Sequence, residues 1–274
     1  MAKIIFFQAH PDDLEGFCAY LLHYLATQSP KQHEIRICST TKGEFGLPGG
    51  KWDRFKGDVL GAVRKRELEN AVAIHGIPPD HVNWLGYIDG FVKFDRSFID
   101  CIATYIQEQR PDIIFAPEAL FTWYYHRDHT YTGAAVFYAI YHHLVDFTPN
   151  LYFYTSINSN FYFPVSDNTM QLSKQLIACH RTQFWFFNAF LLFFSKILLR
   201  IYGFKNKRFR WTFKYAESYR RVYLGPDGKR RNRAKWLPHI MSHFFYSLPF
   251  YHAKYPQAML DKVAVMLRKQ RGFE

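Results

Sequence analysis

Two short stretches of the chain concentrate side chains able to hold a metal ion and move a proton. The first is Ala9-His10-Pro11-Asp12-Asp13-Leu14-Glu15, in which a histidine and an aspartate stand three residues apart at the entrance to an apolar run with helical spacing. That spacing sets a nitrogen and an oxygen ligand on one side of the chain. The second is Tyr124-Tyr125-His126-Arg127-Asp128-His129, where His129 supplies a third ligand. Three His/Asp ligands with a fourth position left for water describe a catalytic rather than a structural zinc site. Such a metal draws the pKa of its water toward about 7 and polarises a carbonyl, the two requirements of amide hydrolysis. Asp12, adjacent to a ligand, is then free to act as general base. His126 is placed to stabilise an oxyanion or to act as an acid.

The elements that must bring these stretches together alternate along the chain. Apolar runs at residues 3–9, 34–39, 81–85 and 111–117 read as buried strands, and helical periodicity covers 14–27, 58–75, 97–109 and 130–141. Gly76 and the two prolines after it close the second helix. A Gly/Pro-rich loop spans Lys42 to Lys51. Strands alternating with helices of this length imply βαβ units and an α/β fold with a mainly parallel sheet. Ligands of such sheets bind beyond the carboxyl ends of the strands, which selects the loops after Ala9, Ser39, Leu85 and Pro117. Both histidine/carboxylate stretches lie in those loops.

The order of these stretches resembles the LmbE/PIG-L family of metal-dependent N-deacetylases. The matching segments are A-H-P-D-D-L-E, Thr41-Lys-Gly-Glu44, Arg64-x-x-Glu67, Leu85-Gly-Tyr-x-Asp89-Gly90, H-R-D-H, His180-Arg-Thr-Gln183 and Ala216-Glu217, across residues 3–223. The resemblance implies a Rossmann-like three-layer α/β sandwich that removes the acetyl group from an N-acetylglucosamine-type amino sugar. It implies Zn2+, or another divalent metal, on His10, Asp13 and His129. Asp12 matches the base, and His126 the residue facing the oxyanion, oriented by Asp128. Tyr124 matches a mobile tyrosine that assists carbonyl polarisation, and Glu44, Arg64 and Asp89 match positions that grip the sugar or its aglycone. Three departures stand out: Arg127 replaces a usual Pro, Phe17-Cys-Ala-Tyr-Leu-Leu22 replaces a Gly-rich stretch, and Thr182 stands where Ser is common. None removes a catalytic group.

Composition bounds the alternatives. With 49% apolar and 21% charged residues the 274-residue chain is globular, and four widely spaced cysteines without a C-x-x-C pair exclude a zinc ribbon. The excess positive charge is confined to residues 184–274, which carry 19 Lys/Arg against 4 Asp/Glu. Residues 184–204 read either as a helix buried on the sheet or as one lying in a membrane interface, flanked by basic clusters at 205–210 and 229–235. The expected organisation is a deacetylase domain over 1–223 and a basic, aromatic helical extension over 224–274, packed on the domain or facing a membrane. The expected partners are an N-acetylated amino sugar, lipid-linked in one version, and an anionic membrane surface; nucleic acid is disfavoured, and a homo-oligomer is compatible. The opening Met-Ala-Lys runs straight into a strand, so the expected location is cytoplasmic, peripheral at the inner face of the membrane. Two alternatives stand beside this reading: an amidohydrolase for another N-acyl substrate, and a non-catalytic protein binding nucleic acid or a partner.

Overall fold

The computed structural model describes residues 1–28, 33–46, 52–166, 170–184, 188–206, 212–225, 232–234, 236–247 and 257–270. The N-terminal apolar run forms β1 (Ala2–Gln8), whose side chains alternate between two cores. Ile5 and Phe7 face one, Ile4 and Phe6 the other. A strand buried on both faces reads as a continuous apolar run, which is why periodicity gives it no sidedness. Around β1 lie β2 (His33–Thr41), β3 (Val82–Tyr87), β4 (Ile113–Pro117) and β5 (Asn150–Tyr154), all parallel. Two antiparallel strands, β7 (Tyr215–Val222) and β6 (Phe161–Val165), complete a seven-stranded sheet of order β3-β2-β1-β4-β5-β7-β6. The order reverses between β1 and β4, so the crevice at their carboxyl ends is the switch point of the sheet.

Helices cover both faces, as the α/β reading requires. The first face carries α4 (Arg96–Gln109) and α5 (Arg127–Tyr141). The second carries α1 (Asp13–Phe17), α2 (Ala19–Ala26) and α3 (Asp58–Ile74). Beyond them lie α6 (Met170–Cys179), α7 (Arg181–Phe184) and α8 (Asn188–Lys205). α9 (Trp236–Tyr246) and α10 (Gln257–Gln270) follow β7. Val263 and Met266 of α10 are buried against Phe45 and Ile88. The four cysteines are free thiols. The basic clusters at 205–210 and 229–235 and the loop at 47–51 fall largely outside the described residues.

One expected element is corrected. The periodicity from Leu14 to Thr27 reads as a single helix, but the chain breaks at Cys18 into α1 and α2. The break frees backbone amides that would otherwise pair within one helix. Glu217 on β7 takes them: its carboxylate accepts from Tyr20 N at 3.0 Å and Leu21 N at 2.8 Å, and Tyr219 Oη donates to it at 2.8 Å. Negative charge at a helix N-terminus is favoured by the helix dipole. Burial nevertheless pushes the Glu217 carboxyl up to about 7.

The β4–β5–β7 region is cross-braced by a buried ion pair. Arg220 on β7 donates from Nε and Nη2 to the two carboxylate oxygens of Glu118, at 2.7 and 2.6 Å. Its guanidinium also sits 4.9 Å from the Phe153 ring centroid. Arg220→Met strands the Glu118 charge and is expected to cost about 3–5 kcal/mol in urea unfolding, with most of it recovered in Glu118→Leu/Arg220→Met. Burial raises the Glu118 carboxyl, but Arg220 outweighs it and holds it below its ordinary value. The pair's contribution is therefore present above the unfolded value of about 4.3 and fades as pH falls through the lower folded value. Unfolding curves at neutral and acidic pH, with and without Arg220, check both statements.

Candidate active site

The turn after β1 is built to face its carboxylate inward. Asp12 N and Asp13 N both donate to His10 O, at 2.9 and 3.3 Å. Asp13 Oδ2 accepts from Ala9 N at 2.8 Å and His10 N at 3.0 Å. Its Oδ1 lies 3.2 Å from His129 Nε2, near the start of α5, and 3.8 Å from His10 Nδ1. His10 Nδ1 and His129 Nε2 face each other at 3.1 Å. The two expected ligand stretches thus converge at the switch point. Ligand bonds of about 2.0–2.2 Å in tetrahedral geometry require donor separations of about 3.3–3.6 Å, close to the edges of this triangle. Two imidazole nitrogens and one carboxylate oxygen are also a suitable donor set for zinc or a similar divalent ion.

The charges around the triangle call for a cation. His10 Nε2 lies 3.0 Å from Asp89 Oδ1 and 3.2 Å from Asp128 Oδ2, so three buried carboxylates surround one imidazole. Burial lowers His10, but Asp89, Asp128 and Asp13 outweigh it and hold it well above the usual histidine value. Burial raises Asp13, yet His129 and His10 keep its carboxyl well below the carboxylate range. Asp89 is also lowered, against burial, by His10 and Arg64. With Nε2 engaged by carboxylates, Nδ1 of His10 is the nitrogen left for a metal, the usual carboxylate–histidine arrangement. His126 is close enough to join His10 and His129 in a second possible ligand group.

The remaining expected residues fall into two sets. Tyr124 sits with its ring 5.0 Å from that of His129. His126 stands T-shaped to His10, ring centroids 4.8 Å apart. Burial, with the charge of His10, drives it down to about 4, so it is neutral at pH 7. Asp128 does not orient His126 through its carboxylate, as the resemblance implied. That carboxylate accepts from Gly90 N at 2.6 Å and faces His10, and only the Asp128 backbone N–H donates to His126 Nδ1, at 3.3 Å. The physical reason is the fold at the helix start: His126 is the N-cap of α5, so its ring takes a first-turn amide.

Glu44, Arg64 and Asp89, which the resemblance matches to sugar-gripping positions, make their hydrogen bonds to the protein itself. Asp89 Oδ2 accepts from Phe45 N and Gly46 N, both at 3.0 Å, and Glu44 Oε2 accepts from Asp89 N at 3.2 Å. Burial and the Asp89 charge push Glu44 up to about 7. Arg64 is 1% exposed; its Nη2 donates to Asp12 Oδ1 at 2.7 Å and its Nη1 to Gly43 O at 2.9 Å. Arg64 therefore holds the expected base, a role that spacing alone does not show. Gly43 makes room for it: φ is +65°, and an added Cβ would lie 2.1 Å from Arg64 Nη1. Four further motif residues prove to be ties within the scaffold. Thr182 donates from N and Oγ1 to Glu67, at 2.9 and 2.5 Å, and His180 Nε2 lies 3.3 Å from Glu15.

Known proteins share this fold. A family model, PIG-L, described as GlcNAc-PI de-N-acetylase, matches residues 5–140. No curated protein matches the chain. Among solved structures, the N,N'-diacetylchitobiose deacetylase of Pyrococcus horikoshii superposes with a TM-score of 0.68 at 19% identity, over 84% of this chain and 88% of that one. The zinc-inhibited form of the teicoplanin deacetylase Orf2 gives 0.59 at 14%, over 82% and 99%. The 4-carboxy-2-hydroxymuconate hydratase GalB of Pseudomonas putida KT2440 gives 0.64 at 15%, over 81% and 97%. These likenesses establish the fold, and one of them belongs to a hydratase. The family match covers the β1 turn, the Arg64 helix, Asp89 and the His126–His129 stretch. Over residues 5–140 the chain therefore carries a PIG-L (LmbE-like) deacetylase-family domain, the domain of a hydrolytic N-deacetylase.

Proposed function

We propose that the protein hydrolyses the acetamide of an N-acetylglucosamine-type amino sugar with a divalent metal ion, zinc in the first instance, held by His10, Asp13 and His129. The observation that carries this reading is the donor triangle beside an Arg64-held Asp12. When bound, the ion would supply Lewis acidity to the amide carbonyl and to water. Asp12 takes a proton from the attacking water, and Arg64 on Oδ1 leaves Oδ2 for that task. The water oxygen adds to the carbonyl carbon, the C–N bond breaks, and Asp12 returns its proton to the amine nitrogen. Acetate and a free amine result. His126, neutral at pH 7, donates a hydrogen bond to the developing oxyanion, and Tyr124 covers the same side. Glu44 and Asp89, beside the Phe45–Gly46 turn, edge the polar side of the site on which the sugar would rest.

A second observation bears on where the substrate is met. α8 buries Leu199 against Tyr215 and Leu176, and its Gly203 approaches Lys214 O so closely that a Cβ would stand 2.3 Å away. Its opposite side exposes Phe193 (64%), Ile197, Ile201 and Phe204 (79%), interleaved with exposed Lys196, Arg200 and Lys205. α9 exposes Trp236 (72%), Leu237, Ile240 and Phe244 and buries no residue fully. It leans on the loop before the second ligand stretch, with Ser242 Oγ donating to Leu120 O at 3.0 Å. Among the described residues no helix is long and apolar enough to cross a membrane. Apolar side chains framed by basic ones suit an anionic bilayer surface. This favours a lipid-linked amino sugar, met by a peripheral protein whose segment 224–274 serves as an extension of the 1–223 domain.

Four experiments test these readings. Elemental analysis is expected to give about one divalent metal per wild-type chain and to lose it in Asp13→Ala. Asp12→Ala should keep the metal and lower acetate release from N-acetylglucosamine conjugates by about 10²–10⁴-fold; near-wild-type turnover would sink the assigned base. Gly43→Ala, by displacing Arg64 from Asp12, is expected to keep the metal and cut kcat by about 10²-fold. Finally, the chain should co-sediment with phosphatidylserine-containing vesicles at low salt and release at high salt. Absence of binding at low salt overturns the membrane reading and leaves the hydrolase reading intact.

A further inference from the structure

Asp12 stands between two unlike walls. One borders a hollow of about 360 Å³ that runs from Asp12 and Asp13 beneath α8, lined largely by apolar side chains such as Phe17, Leu198 and Leu199, and also by Glu15. The other is polar, carries Glu44 and Asp89, and is built from loops rather than from a strand or helix. The Glu44–Gly46 turn and the Ile88–Gly90 loop hold one another through Asp89. Its Oδ2 accepts from Phe45 N and Gly46 N, both at 3.0 Å, and its N donates to Glu44 Oε2 at 3.2 Å. From this wall Asp89 Oδ1 reaches His10 Nε2 at 3.0 Å, and Gly90 N reaches Asp128 Oδ2 at 2.6 Å.

The apolar residues beside these carboxylates belong to neither core of the sheet. Phe45 and Ile88 are 3% and 4% exposed, and among the described residues the buried side chains they cluster with are Val263 and Met266 of α10. Phe91 and Met259 pack at the edge of this cluster, partly buried. Val263 and Met266 stand three residues apart, so both point from one face of the helix. Polar ties hold α10 in place along its length. Lys262 Nζ donates to Lys56 O at 2.9 Å, Gln270 Nε2 donates to Gly86 O at 2.8 Å, and Lys269 Nζ lies 3.5 Å from Asp58. The helix thus covers the outer side of the loops whose inner side faces His10. It lies outside the 5–140 segment matched by the family model.

We infer that Val263 and Met266 are positioning residues of the active site: by covering Phe45 and Ile88 they hold the Asp89 loop against His10 and keep the polar wall in place. Neither side chain touches the donor triangle or Asp12; both act through the two loops. The inference rests on the reading of His10, Asp13 and His129 as metal ligands, and it gives the C-terminal helix a part in that site. A carboxylate on the far nitrogen of a ligating histidine fixes the ring and raises its basicity, and losing such a partner lowers metal affinity by about 10–100-fold. A loop stripped of its few apolar contacts opens locally at far less cost than the whole protein does. Truncating Val263 or Met266 therefore loosens Asp89 while the sheet and the Asp13 turn stay closed.

The experiment compares the wild type with Met266→Ala, the conservative Met266→Leu, and Val145→Ala, a truncation in the core of the opposite face. Val263→Ala repeats the test should Met266→Ala fail to fold. Amide hydrogen exchange of the metal-free proteins is read at Phe45 and Gly46, which Asp89 holds, and at Ala9 and His10, which Asp13 holds. Zinc affinity is read by competition with a chromogenic chelator. Met266→Ala is expected to speed exchange at Phe45 and Gly46 by about tenfold or more, leave Ala9 and His10 unchanged, and weaken zinc binding by about tenfold. Met266→Leu should restore both, and Val145→Ala should lower the urea midpoint without moving either. Unchanged exchange at Phe45 and Gly46, unchanged zinc affinity where exchange has quickened, or equal effects from Val145→Ala overturns the inference. If the wild type binds no zinc, the metal reading fails, and the exchange ratio still decides whether α10 holds the Asp89 loop.

Discussion

The arrangement depends first on Asp13. One oxygen of its carboxylate is fixed by two backbone amides at the end of β1, and the other faces His129 near the start of α5. β1 and β4 diverge in their connections at this point, so a single buried side chain spans the crevice where the sheet changes direction. Its charge is not alone. Asp89 and Asp128 approach the same His10 ring, and buried carboxylates at this density persist in ionised form only beside positive charge. One protonated imidazole answers part of that demand. A divalent ion on the triangle would answer it more fully, while leaving His10 neutral and its Nε2–H donated to the carboxylates. Beside the same cluster of carboxylates, Arg64 from α3 sets its guanidinium on Asp12.

Around this centre, several residues that look chemical are spent on geometry. Glu217 caps the start of α2 from across the sheet, Glu67 holds Thr182 in α7, and Glu15 faces His180. Each joins an element near the metal triangle to one in the second half of the chain. Together they fix α6 to α8 against α1, and so set the position of the apolar hollow relative to Asp12. Removing any one leaves a buried carboxylate or its donors unpaired, which makes these ties as costly to lose as a catalytic group is, though for a different reason.

How much of this was legible in the residues follows from where each signal is stored. Strand–helix alternation and the two His/Asp stretches are local patterns, and both carry through: the parallel sheet forms, and His10, Asp13 and His129 meet at its switch point. The Cys18 break was not legible, because its cause is Glu217, about two hundred positions away, and nothing in the helical periodicity of 14–27 marks it. The partner of Asp128 was misread for a similar reason. The resemblance implies His126, whereas the geometry of a helix start directs the ring to a backbone amide and the carboxylate faces His10. For residues 184–204 periodicity leaves a buried and an interfacial helix as alternatives, and α8 is buried at Leu199 and exposed at Phe193 and Phe204.

That division of α8 bears on specificity. The donor triangle, Asp12 and His126 lie within 5–140, the segment matched by the PIG-L family model. Much of the hollow beside them is walled by residues from 173 to 218, outside that segment. The same fold serves the hydratase GalB and the deacetylases, so the sheet and its helices alone do not fix a reaction. The His10, Asp13 and His129 donors and Asp12 come from the first half of the chain, whereas Leu198 and Ser195 of α8 wall the hollow beside Asp12. The donor triangle and much of the lining of that hollow are thus carried by different stretches of sequence, held together by the Glu15, Glu67 and Glu217 contacts.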